Sequence, residues 1–295
     1  MNVEVFPSDV VRVRGVGGRV EKLYVPPKPS ALKFLSDSSP QLYWRERQGL
    51  ELLGGEVAAE VLDTCPHGLI TIMSRLKGDN AGLLMENGLP QCKKEEIYLR
   101  VGEKLRLIHD RRLGGRSPKN YFEELKRKAI EDADGLGRGG LLKMAGIEEN
   151  VLNSILIKKV IPRAEEVSRS YRELRLVWGD ACSRNVVAYV NGGVSVAGFT
   201  GLEFWHPGFR EEDLAYLVMW DWGKKEWGKE PFQRGYGEKL DEERIKPFIM
   251  LKLLDGLKPG RVEDWRKEMA NGEKDGFLSS NLRLLQREWR EWLMA

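Results

Sequence analysis

The chain changes character once along its length, and that limits what it can fold into. Residues 1 to about 75 read as short strands broken by glycine and proline turns, and the rest reads mostly as helices. Strands gathered in one stretch and helices in another make an α+β chain. The expected division is a small antiparallel β lobe with one helix over residues 1–76, then a larger, mainly helical lobe over 77–295 that carries an embedded hairpin.

In the first stretch, Val10–Arg14 and Arg19–Val25 are β-branched runs on either side of Gly15-Val16-Gly17-Gly18, which predicts a hairpin. Pro26, Pro27 and Pro29 interrupt, and Ala31–Leu35 predicts a third strand. Ser39-Pro40 resembles a helix start, and the helix would run through Leu42, Arg45, Glu46, Leu50 and Leu53 to a stop at Gly54-Gly55. Val57–Leu62 and Gly68–Met73 complete the expected sheet. Further on, Ile97, Val101, Leu105 and Ile108 share one face of a helix expected over 93–113. Pro118–Ala133 predicts another helix, Gly135–Gly140 a flexible break, and 141–173 more helix. Asn191-Gly192-Gly193 between Val186–Val190 and Val194–Ala197 is a strong hairpin signal, because both turn positions favour positive φ. Helices are expected again from residue 210 to the end.

Composition narrows the class. With 41% hydrophobic and 32% charged residues the chain is neither disordered nor membrane-like, and no apolar run approaches a membrane span. Glu4 stands where a secretory leader would be basic and then apolar. The net charge of +3 comes from dispersed residues, so no nucleic-acid surface and no membrane partner is expected. Three cysteines (Cys65, Cys92, Cys182) are too few for a disulfide framework and fit a reducing, cytoplasmic setting. They lack zinc-ligand spacing, and His67, His109 and His206 are scattered, so no structural metal site is expected.

Three groups of residues carry chemistry. Asp180 and Asn185 sit five apart in Trp178-Gly179-Asp180-Ala181-Cys182-Ser183-Arg184-Asn185, on the approach to the second hairpin. A carboxylate there can accept a proton from a substrate hydroxyl, and an amide oxygen can ligate a metal. On spacing alone, ordinary turn residues bonding their own backbone are the plainer account of both. Lys33 is a charge inside an apolar strand, with Glu46 on the following helix; such a pair can hold nucleotide phosphates, and an edge-strand lysine facing water is an equal account. Gly15, Gly17 and Gly18 can let backbone N–H groups approach phosphates, or can simply form a hairpin turn. Downstream, Asp221, Glu226, Glu230, Asp241, Glu242 and Glu243 are candidates for an acidic wall facing a cationic substrate, or for solvated helix faces.

The order of these elements resembles the aminoglycoside phosphotransferase family of the protein-kinase-like superfamily. The family pattern is His-Gly-Asp-x4-Asn, a hairpin, Ile-Asp-[Leu/Phe/Trp]-[Gly/Glu] and an Asp-[Leu/Ile]-Ala helix. Here the matching stretches are Gly179-Asp180 with Asn185, Gly198–Glu203, and Glu212-Asp213-Leu214-Ala215. Leu107-Ile108-His109-Asp110 resembles the family's Leu-x-x-Leu-His helix end. The resemblance implies a two-lobed kinase-like fold and an ATP- and Mg²⁺-dependent phosphotransferase acting on a small-molecule hydroxyl. It implies Asp180 as catalytic base, Asn185 as metal ligand, Lys33 on the phosphates oriented by Glu46, Asp213 as structural support and His109 as packing. Two positions depart from the pattern. Trp178 replaces the family histidine, and Gly201 falls where the metal-binding aspartate belongs. Residues 194–202 hold no Asp or Glu, which leaves Glu203 as the only nearby carboxylate. A pseudokinase, which binds nucleotide or protein with little or no transfer, is the alternative these departures open.

Overall fold

The computed structural model describes residues 6–7, 11–16, 19–24, 39–68, 70–138, 140–222, 226–257 and 277–294. The expected strand 31–35 with Lys33, and the glycines Gly17 and Gly18, lie outside these residues. Strands β1 (Phe6–Pro7), β2 (Val11–Val16), β3 (Arg19–Tyr24), β4 (Val61–Cys65) and β5 (Ile70–Ser74) form one antiparallel sheet in the order β1-β2-β3-β5-β4. β2 and β3 pair from Val11↔Tyr24 to Val16↔Arg19, which is the expected hairpin.

Helix α1 (Ser39–Leu53) forms where Ser39-Pro40 predicts it, and Leu42, Tyr43, Glu46, Leu50 and Leu53 are its buried stripe. Beyond it, the expected strand 57–62 starts later, at Val61. Val57 and Ala58 leave the sheet to meet a distant partner: the Phe199 N–H donates to the Val57 carbonyl at 2.8 Å, and Ala58 bridges Phe199. Both are buried, so apolar burial wins over extending the strand.

The chain divides into two compact units, residues 1–112 with 175–240, and residues 113–174 with 241–295. The expected lobe boundary at 76/77 falls inside the first. That unit also holds β6 (Asp79–Asn80), α2 (Ala81–Glu86) and α3 (Gln91–His109). On α3, Ile97, Val101, Leu105 and Ile108 are all at most 2% exposed, as their spacing predicts. β7 (Arg112–Leu113) and β8 (Leu174–Val177) follow, with β11 (His206–Gly208) completing a sheet ordered β11-β8-β7. β9 (Val186–Asn191) and β10 (Gly193–Phe199) form the second hairpin, joined by β6. α8 (Arg210–Leu217) continues as a π turn over Val218–Trp222, and α9 (Lys229–Tyr236) packs along α3.

The second unit is helical: α4 (Pro118–Arg138), α5 (Leu141–Met144), α6 (Glu149–Ile155), α7 (Ile161–Arg169), α10 (Glu242–Leu257) and α11 (Phe277–Met294). The break expected over 135–140 does not start at Gly135, because α4 runs on to Arg138. Gly137 faces the Glu149 carboxylate so closely that a Cβ would lie 2.2 Å from its Cδ, so the missing side chain admits α6 rather than ending the helix. On α11, Trp292 is fully buried beneath the cations of Arg163 and Lys246, at 5.1 and 5.5 Å from its ring centre. Among the described residues no helix is long and apolar enough to cross a membrane.

Candidate active site

The site is built on the segment from β8 to β9. Gly179 adopts φ +86°, and a Cβ there would sit 2.2 Å from the Phe204 carbonyl oxygen. Glycine therefore lets the chain turn and touch the backbone of 204 at once. The turn presents Asp180, and a 3-10 turn over Ser183–Asn185 brings Asn185 back to it. The Asn185 Nδ2 donates to the Asp180 carboxylate at 2.6 Å and to its carbonyl at 3.0 Å. Asp180 keeps some contact with solvent, but burial pushes its carboxyl up to about 6. The Asn185 hydrogen bond opposes this rise, while the charges of Glu203 and Asp213 add to it. The two candidate residues thus form one unit, a carboxylate poised near neutral pH and fixed by an amide.

Two buried carboxylates hold this loop. Asp213, in the first turn of α8, is fully buried and accepts from the Trp178 N–H at 2.7 Å, the Gly179 N–H at 2.8 Å and His109 Nε2 at 3.0 Å. Its place at a helix N-terminus favours negative charge. His109 Nδ1 lies 2.6 Å from the Tyr236 hydroxyl. Burial raises the Tyr236 phenol well above its ordinary value, so it stays protonated and can donate to Nδ1. The imidazole thus links α9 to the loop through Asp213. Asp221, on the π turn, accepts from the Ser183 N–H at 2.8 Å and the Ser183 hydroxyl at 2.7 Å, and is 3% exposed. Asp221 is therefore a brace beneath the loop, not part of an acidic wall. The signal was present in the sequence: a lone charge inside Leu217-Val218-Met219-Trp220-Asp221-Trp222 needs a buried partner.

Gly201 follows β10 at φ +75°. A Cβ placed on it would lie 3.3 Å from Asn185 Nδ2 and 3.8 Å from its Oδ1, so position 201 faces the Asn185 amide, without a side chain to offer. Glu203 lies two residues on, in a 3-10 turn over Leu202–Phe204 that packs against α1. Across this contact the Trp205 indole N–H donates to the Arg45 carbonyl, beside Glu46, which is 3% exposed. Gly15 lies within β2, paired with Val20. No cluster of three His, Cys, Asp or Glu side chains able to hold a metal occurs among the described residues. Asn185 uses its Nδ2 on Asp180 and keeps Oδ1 as an acceptor, but glycine at 201 offers no ligand beside it. Burial pushes the Cys182 thiol up to about 12, so it stays protonated and is no nucleophile.

Structures of known proteins share this architecture. The GDP and kanamycin complex of an APH(2″) enzyme aligns with TM-score 0.61 and 15% identity, covering 98% of this chain and 93% of that one. The Plasmodium vivax ethanolamine kinase aligns with TM-score 0.61 and 15% identity over 99% and 83%. The ADP-bound aminoglycoside phosphotransferase APH(2″)-Ib gives 0.55 and 14% over 99% and 94%. At these identities the likeness establishes a kinase-like fold. No curated protein sequence matches significantly. The family model described as "Phosphotransferase enzyme family" matches residues 31–248, well over half of the chain, and the loop just described lies within that span. The chain belongs to the phosphotransferase enzyme family.

Proposed function

We propose that this protein is an ATP-dependent phosphotransferase acting on a hydroxyl group of a small molecule. The observation that carries the reading is Asp180, fixed by Asn185 at 2.6 Å and with its carboxyl pushed up to about 6. A base poised there is ionised at neutral pH yet still basic enough to take a hydroxyl proton. In this reading Asp180 accepts that proton as the acceptor oxygen attacks the γ-phosphorus, and the bond to the ADP oxygen breaks. Residues 1–76 supply the nucleotide lobe, with Gly15, Gly17, Gly18 and Lys33 on the phosphates and Glu46 orienting Lys33. Residues 77–295 supply the base and the acceptor site. Asn185 and Glu203 are the side chains offered to Mg²⁺, but with glycine at 201 no step is assigned to the metal. Relatives bound to GDP and ADP support a purine nucleotide donor. A kanamycin complex and an ethanolamine kinase among them support amino sugars and amino alcohols as acceptors to screen first. The cytoplasm, where nucleoside triphosphates are abundant, is the setting that fits.

Gly201 favours a second reading, a pseudokinase that binds nucleotide without transferring phosphate. Thermal unfolding with ATP, GTP and ADP, each with and without Mg²⁺, tests the nucleotide site. A nucleotide at a hundred times its Kd adds about 2.7 kcal/mol, which is several degrees in Tm. The reading predicts such a shift for a triphosphate in the wild type, together with Asp180-dependent ATP turnover. A shift without turnover, converted to turnover by Gly201→Asp, would favour the pseudokinase. No shift with any nucleotide would remove both.

A further inference from the structure

We infer that Trp178 is a positioning residue that sets the segment carrying Gly201 and Glu203 against Asp180 and Asn185. The inference rests on the phosphotransferase reading for its effect on rate, but not for its geometry. The indole is fully buried and stacks on Phe199, with ring centres 4.3 Å apart and planes 13° from parallel. Its Nε1–H donates to the Thr200 carbonyl at 2.8 Å, while its main-chain N–H donates to Asp213. The Thr200 N–H in turn donates to the Asn185 carbonyl at 2.8 Å. The Thr200 residue is thus gripped from both sides, its N–H by the far end of the Asp180–Asn185 loop and its carbonyl by the near end. Thr200 is the residue before Gly201.

Packing alone would need only the ring, since a phenyl group also stacks on Phe199. The N–H is what ties the end of β10 to the loop. Thr200 is an exposed residue, so without that donor its carbonyl turns to water and the tether is lost. Because Asp180 and Asn185 hold their places through Asp213 and Asp221, the side that moves is 200–203. Small displacements of groups around a reacting centre cost up to about a hundredfold in rate.

The test removes the N–H, by Trp178→Phe, which leaves a smaller aromatic ring against Phe199, and by the benzothiophene analogue of tryptophan at 178, which has sulfur in place of N–H and fills the same space. Hydrogen–deuterium exchange of peptides covering 199–205 and 178–183 is followed with the protein alone, and kcat and KM with ATP as the only substrate. The expected result is exchange at least tenfold faster in 199–205 with 178–183 unchanged. With it, kcat for ATP should fall ten- to a hundredfold and KM should stay within twofold. Unchanged exchange in 199–205, or faster exchange with unchanged kcat, would overturn the assignment. A general fall in Tm with kcat per folded molecule preserved would reduce Trp178 to core packing and overturn it as well. If the wild type turns over no ATP, the phosphotransferase reading fails, and the exchange of 199–205 decides the placement by itself.

Discussion

Asp180→Asn is expected to abolish phosphoryl transfer and, at neutral pH, to make the protein more stable. Loss of the base removes about three orders of magnitude in rate, within the span measured for general bases. The gain in stability follows from the displaced carboxyl, which moves from 3.8 to about 6 on folding. A group whose affinity for protons rises on folding stabilises the fold at low pH, and that stability is lost as pH rises between about 4 and 6. Above that window the buried charge is a burden of at most about 3 kcal/mol. Asparagine keeps an oxygen for the Asn185 N–H and carries no charge. Urea unfolding at pH 7.5 should place Asp180→Asn above the wild type by 1 kcal/mol or more, on the order of a few degrees in Tm. The advantage should vanish near pH 4. The wild type's own transfer rate should fall as pH drops through about 6 and the base is protonated. A variant that is inactive and also less stable at pH 7.5 would mean that Asp180 holds the loop together instead.

Asp213→Ala is expected to have the largest structural effect of any single change near the site. It leaves the Trp178 N–H, the Gly179 N–H and His109 Nε2 facing a cavity, all of them buried or half-buried. Each donor left without an acceptor costs roughly 1–3 kcal/mol, so the loss is on the order of 3–5 kcal/mol. That is a large share of the 5–15 kcal/mol by which a protein of this kind is stable. Asp213→Asn should lie between, because its amide N–H must confront one of the three donors. Denaturant midpoints for the three proteins test this, and a change below 0.5 kcal/mol in Asp213→Ala would show that the loop is anchored elsewhere.

Local signals were legible in the sequence where neighbours in the chain decide the outcome. Ser39-Pro40 opened α1, Asn191-Gly192-Gly193 turned the β9–β10 hairpin, and the spacing of Ile97, Val101, Leu105 and Ile108 gave the buried face of α3. The signals failed where a distant segment decides. Gly137 reads as a helix breaker until Glu149 is seen against it. Val57 reads as strand until Phe199 takes its carbonyl. Asp221 reads as a surface charge until Ser183 folds onto it. The same holds for Trp178, a departure from the family pattern whose indole meets the Thr200 carbonyl 22 residues away. The Asp180–Asn185 pair is legible from spacing and family resemblance, but its poise near pH 6 comes from burial and from Glu203 and Asp213, which spacing does not show.

The central claim is that Asp180 serves phosphoryl transfer from a nucleotide. ³¹P NMR of ATP incubated with the wild type and with Asp180→Asn tests it without knowledge of the acceptor, since water can stand in for the hydroxyl. The account predicts slow growth of the ADP and phosphate signals with the wild type, and their loss, with ATP still bound, in the variant. Growth at the same rate in both proteins, or none above the protein-free rate in either, would contradict it.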